Sequence, residues 1–462
     1  MKGRTTGRVA LIVAFMMIGS LASFSSRAEL LSFKAGGQIQ APATIEGKRV
    51  RIETPIGAFR FKEQDFVKIV PGGVPEREWN ARRRAALNTG EDALLETATW
   101  ALENGLVDEA GSMLRQAKDS NRRDAAESRM IAALEDLDRG CQSADPDIEP
   151  LRTALGVRCQ VEQSAHVLLL HQHEPAEARE RVELLERIVT AYYLTMAPLG
   201  LDLNAPHRRI VSVHLKERKD YIAFLQAQHA GAFRNTTGYY HPTFRAVVTC
   251  DAQTISRRDE DSDLDDPILR DQRRARLLRL MDERAKSLGT AAHELIHLLV
   301  AESGLSRRPA DFPHWLHEGL ASQFEVVRGG RWAGVGQEHD LRLPDWRAAA
   351  TASKLGSLIR DAEFGHGYQR DLYARCWALV YYLRKGRPEE FQAYLDLLRL
   401  PYDDAISTSR IRHEKLFQSA FGSDIAALER EWKASMSGLH TPLEQSIAET
   451  WTRTVLFVAP LD

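Results

Sequence analysis

The stretch Ala291-Ala-His-Glu-Leu-Ile-His-Leu-Leu-Val300 places His293 and His297 four apart, with Glu294 between them, inside an apolar run. Residues four apart on an α-helix share a face, so both imidazoles can reach one metal ion. Glu294 sits about 100° further round the helix, where its carboxylate can reach a metal-bound water rather than the metal. Leu295, Ile296, Leu298 and Leu299 are there to bury the remaining faces. A helix that is greasy at its back and aims two imidazoles and a carboxylate at a cleft is what metal-assisted hydrolysis requires. With 15 His in 462 residues, an accidental match is expected in roughly a few per cent of such chains, so a third ligand has to decide. Pro313-His-Trp-Leu-His-Glu-Gly-Leu-Ala321 follows and puts Glu318 twenty-one residues after His297. Two His and one Glu leave the fourth zinc position to water, the catalytic rather than the structural arrangement. Gly319 and Ala321 are small enough for this second helix to approach the first closely.

Together, H-E-x-x-H and W-x-x-E-G-x-A resemble the gluzincin metallopeptidases, the zincin branch whose third ligand is a glutamate on a second helix. The surrounding pattern is similar to a bacterial family of unknown function, abundant in planctomycetes, that carries a peptidase core. It comprises His171 after an apolar strand, Gly238-Tyr-Tyr-His-Pro242, Tyr373-x-x-x-Trp377-Ala-Leu-Val380, and the closing Phe421-Gly-Ser-Asp424 and Leu428-Glu-x-Glu-Trp432. The resemblance spans about 158–435. It implies a single Zn2+ ion held by His293, His297 and Glu318, with Glu294 as general base. It also implies a thermolysin-type α+β fold, a mixed β-sheet with an active-site helix and a mainly helical C-terminal part.

In aminopeptidase-N-like relatives, a tyrosine before a later helix donates a hydrogen bond to the tetrahedral intermediate. Tyr373, fifty-five residues after Glu318, stands in the similar place, with Tyr368 and His366 of the Gly365-His-Gly-Tyr368 turn as rivals. A phenol suits the role because a neutral O–H can stabilise a developing oxyanion. A G-x-M-E-N-like strand, which would hold a free substrate amine, is missing from the sequence. An endopeptidase or another peptide-trimming enzyme is therefore expected rather than an aminopeptidase. The edge strand expected over Gly238–Cys250 offers Tyr239, Tyr240, His241 and Arg245, and its backbone could pair with an extended substrate. Among the other histidines, His171 and His173 lie two apart at a strand end, while His314 and His317 flank Glu318. His314 shares a helix face with Glu318 and reads as a support or rim residue. Asp251 and His339 have no partner legible in the sequence.

The elements that must position these residues are mixed. Residues 1–28 carry Lys2, Arg4 and Arg8 before an apolar run over 9–21, and then Ser26-Arg27-Ala28. These are the parts of a signal peptide, and the run is short of the ~20 residues of a spanning helix. Its removal takes four cations and no anion, from −2 to −6. Residues 29–75 read as a small β unit and 76–140 as three helices with a tetratricopeptide-like hairpin. Residues 141–157 read as a linker, 158–440 as the peptidase domain and 441–462 as a tail. Within the peptidase domain, strands are expected over Cys159–Leu170 and Arg209–Leu215, and helices over Glu174–Met196 and Asp220–His229. The run Asp259–Asp266 lacks the glycine and closing glutamate of an EF-hand and reads as a solvated loop. Cys141 with Cys159 could close a short disulfide loop in an oxidising compartment, while Cys250 and Cys376 read as buried thiols.

Apolar residues are 44% and charged residues 27%, an ordinary globular composition that excludes a collagen-like or wholly disordered chain. With no basic excess, neither nucleic acid nor an anionic membrane is an expected partner, and no stable membrane insertion is expected once the leader is removed. The expected function is therefore an exported zinc metallopeptidase acting on a peptide or protein substrate. Two alternatives stay open: an exported scaffold with a structural or idle metal site, and a zinc hydrolase of a non-peptide amide or ester. Glu294 argues against the scaffold, because a structural site has no use for a carboxylate that does not ligate.

Overall fold

Alternating apolar and polar residues set the first unit. The computed structural model describes residues 28–54, 57–70, 74–89, 92–117, 125–201, 203–251, 266–306, 312–328, 330–364, 369–400, 409–442 and 444–445. Residues 1–27 of the stretch read as a signal peptide (1–28), the acidic run up to residue 265, the turn holding His366 and Tyr368, and residues 446–462 of the stretch read as a tail lie outside the described residues. Strands β1 (Ala28–Phe33), β2 (Gln38–Glu46), β3 (Arg49–Thr54), β4 (Gly57–Lys62) and β5 (Phe66–Val70) pair antiparallel in the order β4-β3-β2-β1-β5. The register sets Val50 opposite Phe61 and Ile52 opposite Phe59. One face of the sheet is thereby apolar, and it closes on Leu277, Leu280 and Met281 of a helix far along the chain.

Four helices follow where the sequence suggests three: α1 (Val74–Thr89), α2 (Asp92–Glu103), α3 (Val107–Ala117) and α4 (Ala125–Asp138). Their apolar stripes, including Ala98, Leu102, Met113 and Leu134, join the core that surrounds the histidine motif. This is a packed layer rather than a free solenoid. Helix α5 (Glu149–Leu155) lies inside the stretch read as a linker and buries Leu151 and Leu155.

The central sheet contains β6 (Gln160–Gln163), β7 (Val167–His171), β8 (Ile210–Leu215), β9 (Gly238–His241) and β10 (Ala246–Cys250), in the order β6-β7-β8-β10-β9. Strands β7, β8 and β10 are parallel, flanked by antiparallel β6 and β9. Cys159–Leu170 is thus a hairpin rather than one strand. Gly238–Cys250 is two strands, of which only β9 is an edge. All of β7 is buried, as its unbroken apolar run requires of a sheet covered on both faces. Val167 and Leu169 face α6 (Pro175–Met196), while Leu168 and Leu170 face α5 and α7 (Arg218–Ala227).

Helix α8 (Pro267–Glu302) runs for 36 residues, about 54 Å at 1.5 Å per residue. Asp266 caps it by accepting the N–H groups of Ile268 (2.8 Å) and Leu269 (3.3 Å), with Pro267 at the first helical position. Its first half carries the N-terminal sheet and its second half packs on the central sheet. The remainder is mainly helical: α9 (His314–Ser322), the hairpin β11 (Val327–Arg328) and β12 (Arg331–Trp332), α10 (Arg342–Ala349), α11 (Leu355–Ile359), α12 (Arg370–Gly386), α13 (Pro388–Arg399), α14 (Ser409–Phe421) and α15 (Ile425–Ser437). Every residue of α12 from Ala374 to Leu383 is buried.

Gly319 does allow a close approach, but to α12 rather than to α8. A Cβ there would lie 2.6 Å from the Cys376 carbonyl oxygen and strike Val380. Helix α8 has its own contact glycine, Gly289, where a Cβ would lie 2.7 Å from the Glu325 carbonyl oxygen. The fold is α+β, as expected. The four cysteines are free, so Cys141 and Cys159 are not bridged, and the Cys141 thiol instead donates to the Pro206 carbonyl at 3.5 Å. Among the described residues, no helix is long and apolar enough to cross a membrane.

Candidate metal centre

Helix α8 buries Leu295, Ile296, Leu298 and Leu299, which turns His293 and His297 together toward α9. Helix α9 begins after Pro313, whose side chain cannot cap it. The buried Asp361 does so from a distance, its carboxylate accepting the N–H groups of His314 (2.9 Å) and Trp315 (3.1 Å). One turn on, Glu318 meets the histidines. Its Oε2 lies 3.1 Å from His293 Nε2 and 3.5 Å from His297 Nε2, and the two Nε2 atoms are 3.1 Å apart. These three residues form a group able to hold a metal ion.

Glu294 sits where Gly238 of β9 packs against α8. A Cβ on Gly238 would lie 3.0 Å from Glu294 Cγ and 2.7 Å from Thr290 Cγ2, so glycine is what admits the strand. Burial raises the Glu294 carboxyl above its usual range, against the pull of His297 and His293. Glu318 behaves oppositely: burial pushes it up, but His297 and His293 outweigh burial and hold it well below the carboxylate range. Burial would lower His293, yet its bonds to Glu318 and Glu325 win and raise it to about 10.

The ring of Tyr373, in the first turn of α12, is centred 6.4 Å from that of His293. His317 packs its ring on His297 at 4.1 Å. His314 stacks on Phe364 at 5.4 Å and stays at the rim, outside the ligand group. On β9, the rings of Tyr239 and His241 join the α7 side, while Tyr240 packs on the α8 side; Arg245, in the turn before β10, pairs with Glu302.

Sequence reading missed the support behind His293. Its Nδ1 lies 2.8 Å from Glu325 Oε2, the carboxylate partner that a metal-bound imidazole commonly has. Glu325 Oε1 is 2.8 Å from His339 Nε2 and accepts from Arg342 Nε at 2.8 Å. His339, without a legible partner in sequence, thus has one here. Asp251 does too. It lies 3.0 Å from His173 Nε2 and accepts from Arg181 (2.9 Å) and Ser287 (2.6 Å).

His173, Glu177 and Asp251 form a second group with metal-ligand types close together. That group carries its own cation, because the buried Arg181 guanidinium donates to both Glu177 (2.8 Å) and Asp251. Burial would raise Asp251, but Arg181 and His173 hold it far below its usual value. Its charges are balanced from within the chain by Arg181, whereas Glu318 is paired with the two histidines.

The loop from Trp332 to His339 is docked on the turn between α2 and α3. Val335 N–H donates to Leu102 O at 3.1 Å, and Gln337 donates to Glu103 O. Gly334, at φ 109°, has no room for a side chain against the Glu103 carbonyl.

A family model described as a protein of unknown function (DUF1570) matches residues 287–403. The matched segment contains His293, Glu294, His297, Glu318, Glu325, His339, Arg342 and Tyr373. No curated protein matches the chain.

Proposed function

We propose that the chain is an exported zinc metallopeptidase in which His293, His297 and Glu318 are the ligands and Glu294 is the general base. One observation carries this reading: three ligand atoms from two helices converge with edges of 3.1, 3.1 and 3.5 Å. Tetrahedral zinc with bonds of about 2.0–2.1 Å has ligand edges of about 3.3–3.4 Å, so the set fits that ion with little movement. Zinc held there would supply Lewis acidity, which makes water nucleophilic near neutral pH and polarises a carbonyl.

The chain's own groups do the rest. Glu294, whose burial favours accepting a proton, takes one from the attacking water and returns it to the leaving amine. Tyr373, beside His293, donates its O–H to the oxyanion. Glu325 fixes the His293 ring through Nδ1. The outer edge of β9, passing Glu294 at Gly238, offers backbone groups to an extended peptide.

The test uses the purified protein and a peptide library, with and without chelator. Glu294→Gln is expected to keep stoichiometric zinc and lose about 10²–10⁴-fold in peptide hydrolysis. His297→Ala is expected to lose the metal. Cleavage by Glu294→Gln at the wild-type rate, or cleavage indifferent to chelator, overturns the proposal. Hydrolysis of esters or non-peptide amides alone would move the substrate class and leave the metal assignment standing.

A further inference from the structure

One guanidinium touches both halves of the centre. Arg342 opens α10, and its Nε and Nη2 donate to the two oxygens of Glu325 at 2.8 and 3.3 Å. Its Cζ also lies 5.4 Å from the centroid of the Tyr373 ring. Behind it, His339 Nδ1 accepts the backbone N–H groups of Leu341 (3.1 Å) and Arg342 (3.2 Å). That leaves His339 Nε2 as the donor to Glu325, so the same imidazole ties the start of α10 to the carboxylate. Both side chains of the pair are about nine-tenths buried, 13% exposed for Arg342 and 9% for Glu325, where water screens little.

We infer that Arg342 is a positioning residue that aligns the ligand His293 and the phenol of Tyr373 as one unit. The inference rests on the reading of His293, His297 and Glu318 as the metal site with Tyr373 beside it. A guanidinium presents a donor edge to a carboxylate and a flat face to an aromatic ring at once. An ammonium is a point charge and cannot do both. The edge of Arg342 orients Glu325, and Glu325 orients the His293 ring. The Arg342 guanidinium carbon also stands over the Tyr373 ring, so a shift in either half moves the other. Arg342 also offsets the charge of Glu325, which would otherwise add a further carboxylate beside Glu294 and Glu318.

The experiment compares wild type, Arg342→Lys, Tyr373→Phe and the double variant. It reads zinc affinity by competition with a chromophoric chelator, the visible spectrum of the Co2+-loaded protein, and kcat and KM on a peptide that wild type cleaves. Arg342→Lys is expected to weaken zinc about 10–100-fold, shift the Co2+ spectrum and lower kcat with KM little changed. Tyr373→Phe is expected to keep zinc affinity within about twofold, and in its background Arg342→Lys should cost less in kcat than it does alone. Arg342→Gln is read in the same way should the lysine variant fail to fold. A folded Arg342→Lys protein with wild-type zinc affinity and an unchanged Co2+ spectrum overturns the inference. Wild type that binds no zinc, or zinc binding that survives His297→Ala, overturns instead the metal reading beneath it.

Discussion

Asp361 adopts a left-handed backbone, φ 52°, which L-residues other than Asn and Asp rarely tolerate. It is buried, and both of its oxygens are spent on the N–H groups that open α9. Those groups lie one turn ahead of Glu318, so a strained residue outside the ligand set fixes the direction from which the third ligand arrives. Asp361→Ala would strand two donors and put alanine in an unfavourable conformation, a loss of about 1–3 kcal/mol in urea unfolding. Asp361→Asn suits the backbone but keeps only one accepting oxygen and faces the other N–H with an amide NH2, so its expected cost is smaller than that of alanine but not zero. Equal stability of the alanine variant and wild type would show that the cap does not hold the helix.

Cross-strand pairing sets His171 of β7 beside His214 of β8, both buried. Burial, with Arg181 and His173 nearby, drives His214 well below its ordinary value near 6.5, and burial also lowers His171. The folded protein therefore binds fewer protons here than the unfolded chain. Stability from this pair is fully present above about pH 6.5 and is lost as the pH falls below it, at up to about 1.4 kcal/mol per unit for each group. Denaturant unfolding at pH 7.5 and 5.5 should show the drop, and His214→Leu should flatten it. Because His293, raised to about 10, acts in the opposite sense over this range, the drop is read as the difference between wild type and His214→Leu, and identical pH dependence of the two would contradict the argument. The same strands show what sequence can and cannot reveal. The buried run of β7 and the greasy back of the His293 helix were legible because period and polarity follow burial. Both ligand motifs were legible because their residues lie within a turn or two of one another. Glu325, His339 and Arg342 have no mutual period, and Asp361 lies 43 residues beyond Glu318, so only folding brings them to the site. The sequence suggests one edge strand over 238–250, but the turn around Arg245, itself at positive φ, splits it into β9 and β10.

At the scale of the molecule, the accessory segments and the centre share packing. The α2–α3 turn holds the loop that leads to His339 and Arg342, and the N-terminal sheet sits on α8. Calorimetry is expected to show one transition, which moves as a whole when zinc is added: about 2.7 kcal/mol of stabilisation at one hundred times its Kd. Gly334→Ala, which drives a methyl into the Glu103 carbonyl, should lower the midpoint of that same transition. A separate early melt for the segments before residue 140 would mean they are only loosely attached. The length of α8 has one more consequence. Stripping away the first seventy residues would uncover Leu277 and Leu280, with Met281 beside them, as a greasy stripe along α8. Fragments trimmed to the chemically equipped part should then stick to one another through that stripe, an aggregation hazard that the N-terminal sheet, acting as a sheath, keeps covered.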